Sequence, residues 1–162
     1  MQEVKLKNFF TTMTIVYFAP AVAMLLFSGV VYFLHQQGQV EGSDMDADIF
    51  RYMLYVLTPA AVIAGHFVFR HLVSNVSATL SLREKLGKYQ AGFLVRGAFI
   101  EAPGLLGVVA AMLTQDMMFL VFPVVLLGVF LYWRPQPESI AEDLQLSQEE
   151  SIILNDPEGI LK

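Results

Sequence analysis

RGAFIEAPGLLGVVAA, residues 96–111, is an apolar run of membrane-span character with one acid, Glu101, near its middle. An ionisable side chain at the centre of a bilayer costs about 2.5–3.5 kcal/mol on insertion scales, so it turns towards protein or water rather than lipid. At helical spacing Gly97, Glu101, Gly104, Val108 and Ala111 fall at i, i+4, i+7, i+11 and i+14, on one face. That face is mostly small, with Gly107 close beside it, and small faces in membranes are where a second helix approaches closely. Pro103 removes a backbone donor and frees a carbonyl one turn back. The stretch predicts a helix packed through Gly97, Pro103, Gly104 and Gly107.

The rest of the chain repeats the apolar character. Of 162 residues, 56% are hydrophobic and only 15% charged, against about 25% charged in soluble domains. This composition fits one membrane domain with a short polar tail. Without cysteine there is no disulfide framework, thiolate nucleophile or cysteine metal site. No basic cluster resembles a nucleic-acid surface, so nucleic acid is excluded as a partner.

Four spans are predicted, at residues 9–34, 49–69, 91–113 and 117–133. The first is 26 residues, about 39 Å as a helix, enough to cross a ~30 Å core with tilt. It is read as a retained span, because no small-residue cleavage site precedes a polar region. Residues 35–48 form an acidic loop. Its DMDAD spacing invites a calcium-loop reading, but the glycine and distal glutamate of an EF-hand are missing. Residues 74–88 suit a short amphipathic helix on the membrane surface. Eight of the span-flanking cations (Lys5, Lys7, Arg70, Arg83, Lys85, Lys88, Arg96 and Arg134) fall on one side and Arg51 alone on the other. By the positive-inside rule both termini are cytoplasmic in a multi-pass protein of the cell inner (plasma) membrane.

The predicted organisation is therefore an all-α membrane protein: a four-transmembrane-helix bundle over residues 1–134 and an acidic cytoplasmic tail over 135–162. Residues 53–70 align without gaps on 117–134, matching Met53 with Met117, Pro59 with Pro123 and Arg70 with Arg134, so two repeated helical hairpins are an alternative description of the bundle. In the tail, Ser147 and Glu150 form an S-x-x-E capping box that opens a short helix to about Leu154. Leu144, Leu146, Ile152 and Ile153 give two short apolar patches. They dock a partner on one reading; on the other, the acidic tail folds back on its own basic loop.

Glu101 heads the candidates for chemistry. If the third span enters the bilayer near Arg96, Glu101 lies about 7 Å deep. His66, four residues before Arg70, lies at a similar depth, which makes a Glu101–His66 contact possible. Arg96 is a second candidate partner, but five residues turn it about 140° away from Glu101 on the same helix. Three roles stand for Glu101: a polar tie to a neighbouring helix, a proton or cation carrier with His66 and Arg96, or a catalytic acid. No nucleophile elbow, P-loop, Rossmann glycine pattern or zinc signature occurs, and no cofactor or metal is implied.

Two resemblances attach to quotable residues. Residues 88–112, KYQAGFLVRGAFIEAPGLLGVVAAM, resemble the second helix of ATP synthase proteolipid (c) subunits, where an F-x-E-A core follows a polar cytoplasmic loop. That likeness implies an ion-binding carboxylate at Glu101. The preceding span carries only Gly65, however, where those subunits have a glycine ladder. The whole chain resembles small bacterial four-span membrane proteins through R-x-x-x-x-E-x-P (Arg96, Glu101, Pro103), W-R-P (Trp133 to Pro135) and D-L-x-L-S-x-x-E (Asp143 to Glu150). This second likeness implies a fold and an address. The functional expectation is a non-enzymatic accessory or assembly component, with the lipid bilayer, other membrane proteins or a second copy in a homo-oligomer as partners. The alternative is a proton- or ion-coupled transport component using Glu101.

Overall fold

In a computed structural model the regular structure of the described residues is all helical apart from one two-residue pairing. Residues 4–39, 42–43, 45–77, 79–156 and 160–161 are described. Glu41 and Asp44 of the acidic loop, and Lys162, lie outside them. The elements in order are β1 (Val4–Lys5), α1 (Leu6–Gln36), α2 (Ala47–Ser74), α3 (Leu82–Thr114), a 3-10 turn (Met117–Leu120), α4 (Val121–Tyr132), α5 (Pro137–Asp143), α6 (Gln148–Leu154) and β2 (Ile160–Leu161).

Three helices, α1, α2 and α3, are long and apolar enough to cross a membrane. The fourth apolar stretch is bent: the helical run Met117–Tyr132 meets α5 at 78°, and counting that pair as one span gives four. Many large apolar side chains face outward, among them Leu26, Phe33, Val56, Phe67 and Leu131, each more than half exposed, as on a surface that meets lipid or another protein. They suit acyl chains.

α3 is the central helix. In its most apolar window 44% of residues are buried, against 22% for α1 and for α2, and it packs on α1, α2 and α4. Small residues permit this. A Cβ on Gly107 would stand 3.0 Å from the Phe119 carbonyl oxygen and 3.1 Å from Phe122 Cβ. A Cβ on Gly104 would collide with Met24 Sδ, and one on Gly65 of α2 would stand 2.9 Å from Phe99 Cβ. Gly97 lies against Tyr17 and Phe130. Gly97, Pro103, Gly104 and Gly107 are all buried.

The helix boundaries correct one expectation. Residues 74–88 do not form a separate surface helix. Ser81 N-caps α3: its hydroxyl accepts from the Glu84 N–H, and Glu84 Oε2 accepts from the Ser81 N–H at 3.0 Å. This capping box starts one unbroken 33-residue helix at Leu82. About five turns of helix thus precede Glu101, and the basic residues Lys85 and Lys88 ride on it. At the opposite end α3 stops at Gln115, in the left-handed region with φ 58°. Asp116 caps the following 3-10 turn and accepts from Arg51 at 3.2 Å, tying the start of α2 to the α3–α4 turn.

The tail folds back. Lys85, only 4% exposed, donates to Glu150 Oε1 at 2.7 Å. Ile140, Leu144 and Leu154 join a buried cluster with Leu6, Val73 and Leu86. The Ser147–Glu150 capping box is present and opens α6. Val4 and Lys5 pair antiparallel with Leu161 and Ile160, so both outer segments of the chain meet at this same end.

Candidate functional site

Lys85 and Arg96 are the buried charged side chains among the described residues, and of the two only Lys85 has an ion pair; Glu101 is half-buried. Arg96 stands on α3 with 6% of its surface exposed. Its guanidinium carbon lies 4.1 Å from the centroid of Phe69 (α2), 4.5 Å from Phe93 (α3) and 4.9 Å from Trp133 at the end of α4. Nη2 donates to the Trp133 carbonyl at 3.3 Å, while Nε is buried with no hydrogen-bond partner among the described residues. No ion pair of Arg96 occurs among them either. An arginine stays charged in any protein environment, and a buried unpaired charge costs several kcal/mol. Each cation–π contact returns about 0.5–2 kcal/mol. The aromatic rings therefore do what a carboxylate usually does.

Those rings form a continuous stack across four helices. Tyr17 of α1 meets Phe93 at 4.3 Å and Phe130 of α4 at 5.1 Å between centroids. Its buried hydroxyl donates to the Phe130 carbonyl at 3.2 Å. Tyr89 stacks on Phe93 at 5.7 Å and meets Phe69 edge-on at 5.4 Å. The result is a rigid floor on which the guanidinium lies.

Above this floor opens a cleft of about 610 Å³. His66, Arg70, Arg96 and Arg134 supply its basic wall, and Ser139, Glu142, Asp143 and Gln145 from the tail form its roof. His66 stacks on Trp133 at 5.6 Å and 22°, and its Nδ1 is buried without a hydrogen-bond partner among the described residues. Asp143 faces Tyr89 and lies within electrostatic reach of Arg96 and Arg70. Burial pushes its carboxyl above the ordinary carboxylate range, and the two arginines only partly offset this. No protein family, curated protein or solved structure matches this chain. What the cleft can do is therefore read from its own groups.

The structure brings His66 and Arg96 together and leaves Glu101 apart. The expected Glu101–His66 contact is not formed, because His66 faces Trp133. α2 meets α3 where Gly65 touches Phe99 and the Arg96 carbonyl, and His66, one residue on, turns towards the end of α4. The two side chains differ in their rotation about their helices. Glu101 sits about 40° round from Gly97 on α3, at the edge of the face that Gly97 and Gly104 bury against α1. It is half-buried, with no hydrogen bond or ion pair among the described residues. A groove of about 560 Å³ runs along the other flank, between α2 and α3, lined by Leu57, Ala60, Ala64, Ala98 and Ala102.

The tail residues singled out for docking divide. Leu144 is buried and Leu146 packs on the core, both within this chain. Ile152 and Ile153 remain 65% and 41% exposed. The aromatic floor was missed in the sequence. Its signal was the recurrence of aromatics at the same end of every span: Tyr17, Phe69, Phe93 with Tyr89, and Phe130 with Trp133.

Proposed function

We propose that the protein is a four-span integral membrane protein with both termini cytoplasmic, and that it acts as a non-enzymatic accessory or assembly component. Its partner in the bilayer is another membrane protein or a second copy of the chain, and α3 meets that partner on the flank that carries Glu101. The observation that carries this reading is the isolation of Glu101: a half-buried carboxylate inside an apolar helix with no partner among the described residues. Lipid does not satisfy such a group, whereas a donor on a neighbouring helix does. The placement of Lys and Arg supports the orientation, with Arg70, Arg83, Lys88, Arg96 and Arg134 at one end and Arg51 at the other.

Cross-linking and native electrophoresis of the protein in its own membrane test the reading. Wild-type protein gives a discrete larger species. Glu101→Leu loses it, and Glu101→Gln, which keeps hydrogen-bonding capacity, retains part of it. An unchanged species in Glu101→Leu refutes the proposal. A second reading uses the same isolation of Glu101: an intramembrane carboxylate with no fixed partner marks a proton or ion path, as in a transport component. In that case wild-type protein dissipates a pH gradient across liposomes and Glu101→Gln does not.

A further inference from the structure

We propose that the cleft over Arg96 binds a phosphate-type anion, held by the Arg96 guanidinium at its base and by Arg70 and Arg134 at its rim. The proposal is independent of Glu101, which lies on another face of α3.

Three observations carry it. Arg96 is more than nine-tenths buried, lines the cleft, and leaves Nε without a partner among the described residues. A phosphate oxygen accepts from such an unpartnered guanidinium N–H in a charge-assisted hydrogen bond, beside the Nη2 that already donates to the Trp133 carbonyl. The aromatic floor fixes the plane of the guanidinium through contacts at 4.1–4.9 Å, so little freedom is lost when an anion arrives. His66 contributes a second buried and unpartnered ring nitrogen, Nδ1, on the same wall.

The place of the cleft names the source of the anion. Arg96 stands where the apolar run of α3 begins, and the strongly exposed Tyr132 and the adjoining Trp133 mark an interfacial belt. A basic pocket between spans at that level meets lipid headgroups. The cleft, at about 610 Å³, is within the size range of small-molecule sites, roughly 300–1,000 Å³. Asp143 of the tail projects into the field of Arg96 and Arg70. It acts as an internal carboxylate that competes with the incoming phosphate.

The protein carries one tryptophan, Trp133, and it touches both Arg96 and His66. Its fluorescence reports on the cleft without a label. The full chain in zwitterionic micelles is titrated with dioctanoyl phosphatidylglycerol, dioctanoyl phosphatidylcholine and inorganic phosphate. A saturable change with phosphatidylglycerol alone assigns the site to a lipid headgroup. A saturable change with inorganic phosphate assigns it to the free anion. No saturable change with either, or an equal response to phosphatidylcholine, overturns the proposal. Arg96→Gln weakens binding by about tenfold or more, the loss expected for hydrogen bonds to a charged group. Asp143→Asn, in the roof that the tail forms over the cleft, guards against misfolding of that variant. It tightens binding about two- to fivefold, the factor of a solvent-screened charge pair. An Asp143→Asn variant that binds no better, or worse, also overturns the proposal.

Discussion

Gly107 and Gly128 are both interior helical glycines, in α3 and α4, yet alanine at the two positions should act in opposite directions. The intrinsic gain in helix propensity, about 0.8–1 kcal/mol, is common to both. The surroundings differ. A Cβ at Gly128 meets nothing within 4 Å. At Gly107 it would press on the Phe119 carbonyl oxygen at 3.0 Å, Phe122 Cβ at 3.1 Å and Pro123 Cδ at 3.2 Å. These are backbone, a Cβ and a ring carbon. None is the free end of a flexible side chain, so the start of α4 must move away from α3. Overpacking of this kind costs about 1–3 kcal/mol. Because the propensity gain cancels between the two variants, Gly107→Ala should be less stable than Gly128→Ala by about that amount. At 1.4 kcal/mol per tenfold, this is a factor of roughly 5–150 in the unfolding equilibrium. Unfolding in mixed micelles with rising dodecyl sulfate, followed by far-ultraviolet circular dichroism, measures the difference. Equal midpoints for the two variants would refute the claim that α3 and α4 meet through Gly107.

Further expectations concern the buried hydroxyl and the docked tail. Tyr17→Phe keeps the ring contacts and deletes the hydrogen bond to the Phe130 carbonyl, so the same unfolding assay should show a loss of about 0.5–1.5 kcal/mol; an unchanged midpoint means the hydroxyl is idle. Tail docking should depend on pH with two opposite limbs. Burial raises the Glu150 carboxyl, but the hydrogen bonds from Lys85 and Ser147 and the Lys85 charge more than offset it, leaving it below its ordinary value. Its stabilising contribution is thus full above the ordinary carboxylate range and is lost as pH falls through that range. Asp143, held above its ordinary value, works in the other direction: docking gains as it takes up a proton just above that range. Limited proteolysis of residues 135–162 across pH reads both limbs. Glu150→Gln should remove the lower one and Asp143→Asn the upper; a variant that leaves its own limb intact contradicts the assignment.

Hydropathy picked out the runs that fold as the long apolar helices α1, α2 and α3, because twenty apolar positions in a row admit few folds. The small face of α3 was legible for a related reason, since glycine at helical spacing in a span has little purpose other than close approach. The start of α3 was also written in the chain, as Ser-Leu-Arg-Glu at residues 81–84, but the basic residues that follow drew the eye to an interfacial helix. Arg96 was harder. Along its own helix it has Glu101 on the wrong face and Phe93 less than one turn back. The other two rings that accommodate it, Phe69 and Trp133, come from elsewhere in the bundle, and rings 27 and 37 residues away in sequence give no local signal. Glu101 and His66 show the same gap from the other side. Counting residues gives depth, and depth says nothing about which way around a helix a side chain points.

The pairing of Val4–Lys5 with Ile160–Leu161 imposes a schedule on biosynthesis. The first strand is made some 155 residues before its mate. At ribosomal rates of about 5–20 residues per second, the wait is roughly 8–30 s. Throughout that time the early strand is an open edge beside a membrane already receiving helices, and any passing backbone can complete it. Pairing with Ile160–Leu161 is then a race that the nascent chain has to win.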